Sequence, residues 1–140
     1  MLRTNLIHPQ LLGVLAAAGH GATILLADGH YPASTAVGPN ATTVHLNLTP
    51  GVLDVPTVLE PILELVPLEA ATVMVPPQGA AEPAAIGEYR ARLGDLDFRT
   101  LDRFAFYRAA LEPSLALAVV TADVRTYANL LLTVGVRQVP

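Results

Sequence analysis

Near the start of the chain two histidines and an aspartate stand among glycines, first as Gly19-His20-Gly21-Ala22 and then as Asp28-Gly29-His30-Tyr31-Pro32. Flanking glycines put His20 in a tight turn, where a side chain is presented and backbone can approach a ligand. An imidazole that titrates near neutrality is a natural proton shuttle. Asp28 falls where a short apolar run ends, which is where open α/β sheets place their ligands. A plainer reading has His20 following a helix stop and Asp28 capping a turn, and spacing favours neither. A second cluster, Arg103-Phe104-Ala105-Phe106-Tyr107-Arg108, sets Arg103 and Tyr107 four residues apart. On a helix these share a face, so a guanidinium and a phenol could reach one ligand. The competing reading makes Phe104, Tyr107 and Leu111 a core stripe with Arg103 solvated beside it. Tyr127-Ala128-Asn129 offers a stacking ring and an amide that both donates and accepts, a set suited to a polyol. If that segment is extended, Tyr127 and Asn129 point to one side and Ala128 to the other; it also reads as an ordinary strand-entry turn. Asp123 and Arg125 read as surface residues.

The composition excludes much other chemistry. No cysteine is present, so thiol catalysis, disulfides and thiolate metal sites are out. All eight basic residues are Arg, and a chain without Lys forms no Schiff base and holds no covalent pyridoxal cofactor. No phosphate loop, GxGxxG or GxSxG motif occurs, and Ser34 and Ser114 have no His–Asp pair near them in sequence. His8, His20, His30 and His45 show no HxH or HxxxH spacing, so a bound metal is not expected. The net charge of −4 with scattered Arg argues against nucleic acid as a partner. No stretch approaches the roughly 18 unbroken apolar residues of a membrane span. No basic segment precedes an apolar one at the N-terminus, which points to the cytoplasm.

The elements that must position these residues follow from patterning. His8–Ala18 reads as a helix with Pro9 in its first turn and Gly19 at its stop. Thr23–Ala27 is a buried strand that delivers Asp28 to its C-terminal end, and Gly29–Pro32 is then loop. Thr42–Leu48 is a second strand. Val55–Val66 is a helix, with Pro61 expected to kink it or start a new one. Ala71–Val75 is a third strand, Pro83–Leu93 a helix, and Phe98–Leu101 a short extended piece. Asp102 is placed to cap a helix from Arg103 to about Leu111. Leu115–Thr121 and Asn129–Val134 complete the set. Strands alternating with helices indicate one α/β layered domain over residues 1–140, with a mostly parallel central sheet flanked by helices. Hydrophobic residues make up 52% of the chain and charged residues 14%, against roughly 25% charged in an ordinary domain. Too few charges remain to cover the surface, and a homo-oligomer is expected.

In order and over nearly the whole length, these clusters resemble the L-fucose mutarotase / D-ribose pyranase family. The resemblance rests on Pro9-Gln10-Leu11-Leu12-Gly13-Val14-Leu15 leading into Gly19-His20-Gly21, and on Asp28-Gly29-His30-Tyr31-Pro32-Ala33. It continues through Arg103-Phe104-Ala105-Phe106-Tyr107, Tyr127-Ala128-Asn129-Leu130-Leu131-Leu132 and Gly135-Val136. The block at Arg103 is similar to the fucose branch; the ribose branch tends to carry His there. The resemblance implies that His20 is the proton donor and that Asp28, Arg103, Tyr127, Ala128 and Asn129 contact a sugar. His30 adjoins these as a further contact, and Tyr107 joins His20 and Asp28 as a candidate acid or base. The implied reaction opens a cyclic hemiacetal and recloses it on the other face, exchanging α and β anomers without a cofactor. Members of the family assemble as rings, commonly decamers. One departure is Ala22, where the family usually has an acidic residue that would orient the imidazole or fix its tautomer. Another is Gly29, where the family often has Ala.

The expectation is thus a cytoplasmic, cofactor-free mutarotase for L-fucose or a related monosaccharide. A D-ribose pyranase-type activity is the first alternative. A non-catalytic sugar-binding or assembly protein of the same fold is the second, kept open by Ala22.

Overall fold

A computed structural model describes all 140 residues, and its helix ends follow local chemistry. Helix α1 (Pro9–Ala17) begins with proline and is capped by His8, whose Nδ1 accepts the Leu11 N–H at 3.3 Å. Helix α2 (Val55–Leu63) is capped by Asp54 and carries Pro61 without interruption, so neither a break nor a new start occurs there. Proline removes one N–H, but Val55, Val58, Leu59 and Ile62 are buried, and that packing outweighs one lost hydrogen bond. Helix α3 (Ala84–Leu93) ends at Gly94, and α4 (Arg103–Ala110) is capped by Asp102, which accepts from the N–H groups of Phe104 and Ala105. No helix is long and apolar enough to cross a membrane.

Six strands, β1 (Thr23–Ala27), β2 (Thr42–His45), β3 (Leu68–Val75), β4 (Asp97–Asp102), β5 (Leu115–Val120) and β6 (Leu130–Val134), form one sheet in the order β2-β5-β1-β6-β3-β4. The β2–β5, β5–β1 and β3–β4 pairs are parallel, while β6 is antiparallel to both its neighbours. The sheet is therefore mostly parallel, with one reversed strand near its middle. Strand β2 stops at His45 rather than Leu48. It pairs only with β5, and β5 has no ladder left to offer once Leu46 has bonded Val120. The piece expected at Phe98–Leu101 is a full edge strand in register with β3 from Ala70 to Val75.

Alternation along the strands sorts side chains onto two faces. Ile24 and Leu26 join Leu11, Leu59, Ile62, Ile86 and Tyr89 beneath α1, α2 and α3. Leu25 and Ala27 join Met74, Phe106, Ala118 and Leu131 under α4. Each fully buried Leu or Ile contributes about 1.5–3 kcal/mol. These two cores hold the sheet rigid, and the loops at its edges are placed by it.

Candidate active site

Strand direction decides which loops meet. Residues that follow a parallel strand gather at one edge of the sheet, and the reversed β6 brings to that same edge the residues that precede it. Asp28 follows β1, Arg103 follows β4, and Tyr127 and Asn129 lead into β6. Together with His30, Tyr31 and Tyr107 they line a cleft of about 210 Å³. That is below the roughly 300–1,000 Å³ of sites that take drug-sized ligands and suits a small polar one.

Asp28 is 1% exposed and organises the floor. Its Oδ1 accepts the His30 N–H at 3.0 Å, and its Oδ2 accepts the Ala128 N–H at 3.2 Å and Asn129 Nδ2 at 2.9 Å. The Asp28 N–H donates back to Asn129 Oδ1 at 2.8 Å. Burial pushes the carboxyl above the usual carboxylate range, against the backbone N–H groups of His30 and Ala128, which pull it down. Three accepted N–H groups leave one of the roughly four acceptor positions of a carboxylate open. Close by, the Gly29 N–H donates to the Asp123 carbonyl at 2.8 Å. A Cβ at position 29 would stand 3.2 Å from that oxygen, a close approach that glycine avoids.

Tyr127 is the one non-glycine residue with a left-handed backbone, at φ 61°, so the segment is not extended as the alternation argument supposed. Such a conformation costs on the order of 1–3 kcal/mol and persists where neighbours dictate it. Ala128 is the anchor. Its N–H goes to Asp28, and its carbonyl accepts the hydroxyl of the fully buried Tyr89 at 2.7 Å. Ala128, which the family resemblance implied as a sugar contact, is buried here, with its N–H bonded to Asp28 and its carbonyl to Tyr89.

Asp123 is not the surface residue the sequence suggested, and Arg125 beside it is only partly exposed. Asp123 is 2% exposed and takes Arg125 Nε at 3.0 Å, Arg125 Nη2 at 2.8 Å and the Val55 N–H at 3.2 Å. Arg125 Nη1 reaches Glu88 of α3 at 2.9 Å. Burial alone would raise the Asp123 carboxyl; the hydrogen bonds from Arg125 and from the backbone N–H groups overcome it and hold the group below its usual range. Ionic pairing inside the loop before β6 left no periodic signal, so only the fold exposes it.

On the opposite wall Arg103 and Tyr107 share a helical face, as their spacing implied, and both line the cleft. The core stripe of α4 is Phe106 and Ala110 instead; Phe104 is 59% exposed and lies under the Arg103 guanidinium at 4.6 Å. The Tyr31 hydroxyl is committed to the Ala36 carbonyl at 2.7 Å, and its ring meets Tyr107 edge-on at 5.4 Å. His30 borders the cleft with Nε2 turned to the Val124 carbonyl at 3.1 Å.

His20 does not join this group. It precedes β1 while Asp28 follows it, so the five residues of the strand separate them by roughly 16 Å at about 3.3 Å per residue. In place of the cleft its Nε2 meets Glu69 Oε2 at 2.9 Å. The edge carrying His20 is thus the far one, and a single chain cannot apply this imidazole to a ligand held by Asp28.

A small α/β protein with a polar cleft at the strand ends, floored by a buried carboxylate and walled by a phenol, a guanidinium and an amide, is of the class that handles small hydroxylated ligands. The chain belongs to the RbsD / FucU transport protein family, whose pattern it matches over residues 1–137. Its fold is similar to that of the fucose mutarotase of Streptococcus pneumoniae, solved in complex with L-fucose, with a TM-score of 0.81, 28% identity, and 94% of this chain and 95% of that one covered. FucU of Bifidobacterium longum is 32% identical with a TM-score of 0.76, covering 94% of this chain and 96% of its own. RbsD of Bacillus subtilis, complexed with D-ribose, superposes over 99% of this chain and all of its own with a TM-score of 0.82; at 19% identity that likeness is one of fold.

Proposed function

We propose that this protein is a monosaccharide mutarotase acting on L-fucose or a closely related pyranose. The observation that carries the reading is the assembly of Asp28, Arg103, Tyr107, Tyr127 and Asn129 around one small cleft. The two fucose-branch relatives at 28% and 32% identity support the sugar. Ring opening needs a proton on the ring oxygen as the C1–O bond breaks, and removal of the anomeric hydroxyl proton as the aldehyde forms. Rotation about C1–C2 and the reverse proton transfers close the ring on the other face. Asp28, with its one free acceptor position and a carboxyl raised by burial, takes the hydroxyl proton. Tyr107 orients that hydroxyl, while Arg103, His30 and Asn129 bind the others and the Tyr127 ring stacks on the sugar face. No redox cofactor or nucleophile enters the scheme.

In this reading the acid is His20, and its far-edge position supports a second copy of the chain as its source. Self-association into a ring, of the decamer kind, accomplishes this. Leu48, Val52, Leu53 and Val124 are exposed apolar residues, and Leu48 and Val124 border a neighbouring cleft of about 310 Å³, a surface suited to being covered. Saturation-transfer NMR of anomeric protons across a panel including L-fucose and D-ribose tests the reading. Faster exchange with L-fucose is the expected result; binding without acceleration of any sugar would reduce the protein to a sugar-binding module.

A further inference from the structure

Glu69 takes no part in the cleft, yet the sheet delivers it to His20. The His20 turn is fastened to the end of β6 by two bonds, from the Gly21 N–H to the Val134 carbonyl and from the Val134 N–H to the Ala22 carbonyl, each 2.9 Å. On the other side of β6, Leu68 pairs with Val134, and the ladder shifts register between Leu68 and Ala70 so that Glu69 stands out of it. Gly135 closes the approach. Its N–H donates to the Pro67 carbonyl at 2.8 Å, and a Cβ there would lie 3.3 Å from the Glu69 Cβ and 3.2 Å from the Leu68 carbonyl carbon. Three adjacent strands therefore set the 2.9 Å contact between Glu69 Oε2 and His20 Nε2. Within the turn itself, Ala22 has no group that could do the same.

We propose that Glu69 is the positioning residue of His20, holding its ring by accepting the Nε2 proton and leaving Nδ1 as the nitrogen that exchanges protons with the sugar. The inference rests on His20 being the acid of the proposed mutarotase. A carboxylate accepts and cannot donate, so Nε2 carries a proton whenever the pair is made. That choice fixes the tautomer and the plane of the imidazole, and with them the direction in which Nδ1 works. His20 and Glu69 side chains are 60% and 46% exposed, and an ion pair so exposed adds little to folding. An orienting role is therefore separable from a structural one.

The test is a kinetic cycle on the assembled protein, reading anomeric exchange of L-fucose and D-ribose, with melting temperature followed in parallel. Glu69→Ala is expected to lower kcat about tenfold, a part of the roughly 10²–10⁴-fold that acid–base catalysis supplies, with KM and melting temperature unchanged. Glu69→Gln, whose amide oxygen still accepts the Nε2 proton, is expected to recover most of the loss. On a His20→Ala background, Glu69→Ala is expected to change nothing further. Two-bond ¹⁵N–¹H correlations of the imidazole, taken above the range in which ordinary imidazoles titrate, are expected to show the Nε2–H form of His20. A Glu69→Ala protein at full rate, an added loss on the His20→Ala background, or an Nδ1–H tautomer overturns the proposal and leaves His20 as the acid. A His20→Ala protein at full rate removes the acid assignment itself and this inference with it.

Discussion

Asp28 serves two ends with one carboxylate. Its oxygens take three N–H donors that shape the floor of the cleft, and in the proposed scheme the acceptor position left open takes the sugar hydroxyl. Asn at this position would turn an NH₂ group toward donors on one side or the other and would also remove the proposed base. Asp28→Asn is therefore expected to lower anomeric exchange at least tenfold. Its cost in stability should be about 1–3 kcal/mol for the unpaired buried donors, read by urea denaturation. If exchange persists at the wild-type rate, the base is elsewhere and Tyr107 is the next phenol or acid in reach. Arg103 is different in kind: it is exposed and stacked on Phe104 rather than tied to the core, so if it binds the sugar as proposed, its loss falls on KM.

At the scale of elements, the segment between β5 and β6 is held by α3 from behind. Tyr89 donates to the Ala128 carbonyl and Arg125 joins Asp123 to Glu88; these bonds keep Tyr127 left-handed. Tyr89→Phe retains the ring and orphans a buried carbonyl, for about 1–3 kcal/mol of stability. As Tyr127 loses its fixed place, the sugar KM should rise more than kcat falls, and steady-state anomeric exchange rates separate the two. Acid dependence belongs here as well. Asp123 is held below its usual range in the folded chain, so its contribution is complete above an unfolded value near ~3.9 and is lost as pH falls through the folded value. Asp28, raised by burial, runs the other way: its contribution is complete below that unfolded value and is lost as pH rises through the folded one. Removing the guanidinium in Arg125→Ala lifts the main cause of the Asp123 depression. The loss of stability below about pH 4 should then be smaller than in the wild type, as denaturation at stepped pH would show. An unchanged acid limb would mean the clamp is not what titrates.

For the whole molecule the decisive fact is that His20 and Asp28, the proposed acid and base, lie beyond opposite ends of β1. If assembly unites them, static light scattering should give a mass well above that of two 14.7 kDa chains. A junction between two different inactive chains should also restore a site, since His20 from an Asp28→Asn chain can serve the intact cleft of a His20→Ala chain. Dissociating and reassembling an equal mixture is expected to return activity to up to about a quarter of the sites, since half the clefts are intact and half of the chains beside them carry His20. No gain on mixing would place both groups' function within one chain and contradict the geometry of β1.

The layered α/β fold, the four helices, most strand positions and the Arg103–Tyr107 face were legible in the sequence. They depend on local caps and on the period of apolar residues, as Asp102 ahead of α4 and the run Thr23–Ala27 illustrate. Even the separation of His20 from Asp28 was implicit, because a five-residue strand stands between them. The direction of β6 was not legible, since an apolar run such as Leu130–Val134 looks the same whichever way it enters a sheet. That direction sends Tyr127 and Asn129 to the Asp28 edge. Nor could sequence distinguish Asp123 and Arg125 from surface charges, or find Tyr89 beneath Ala128 and Glu69 beside His20. Those pairings join residues 2 to 49 positions apart, and only strand order, register and burial bring the long-range ones within hydrogen-bond distance.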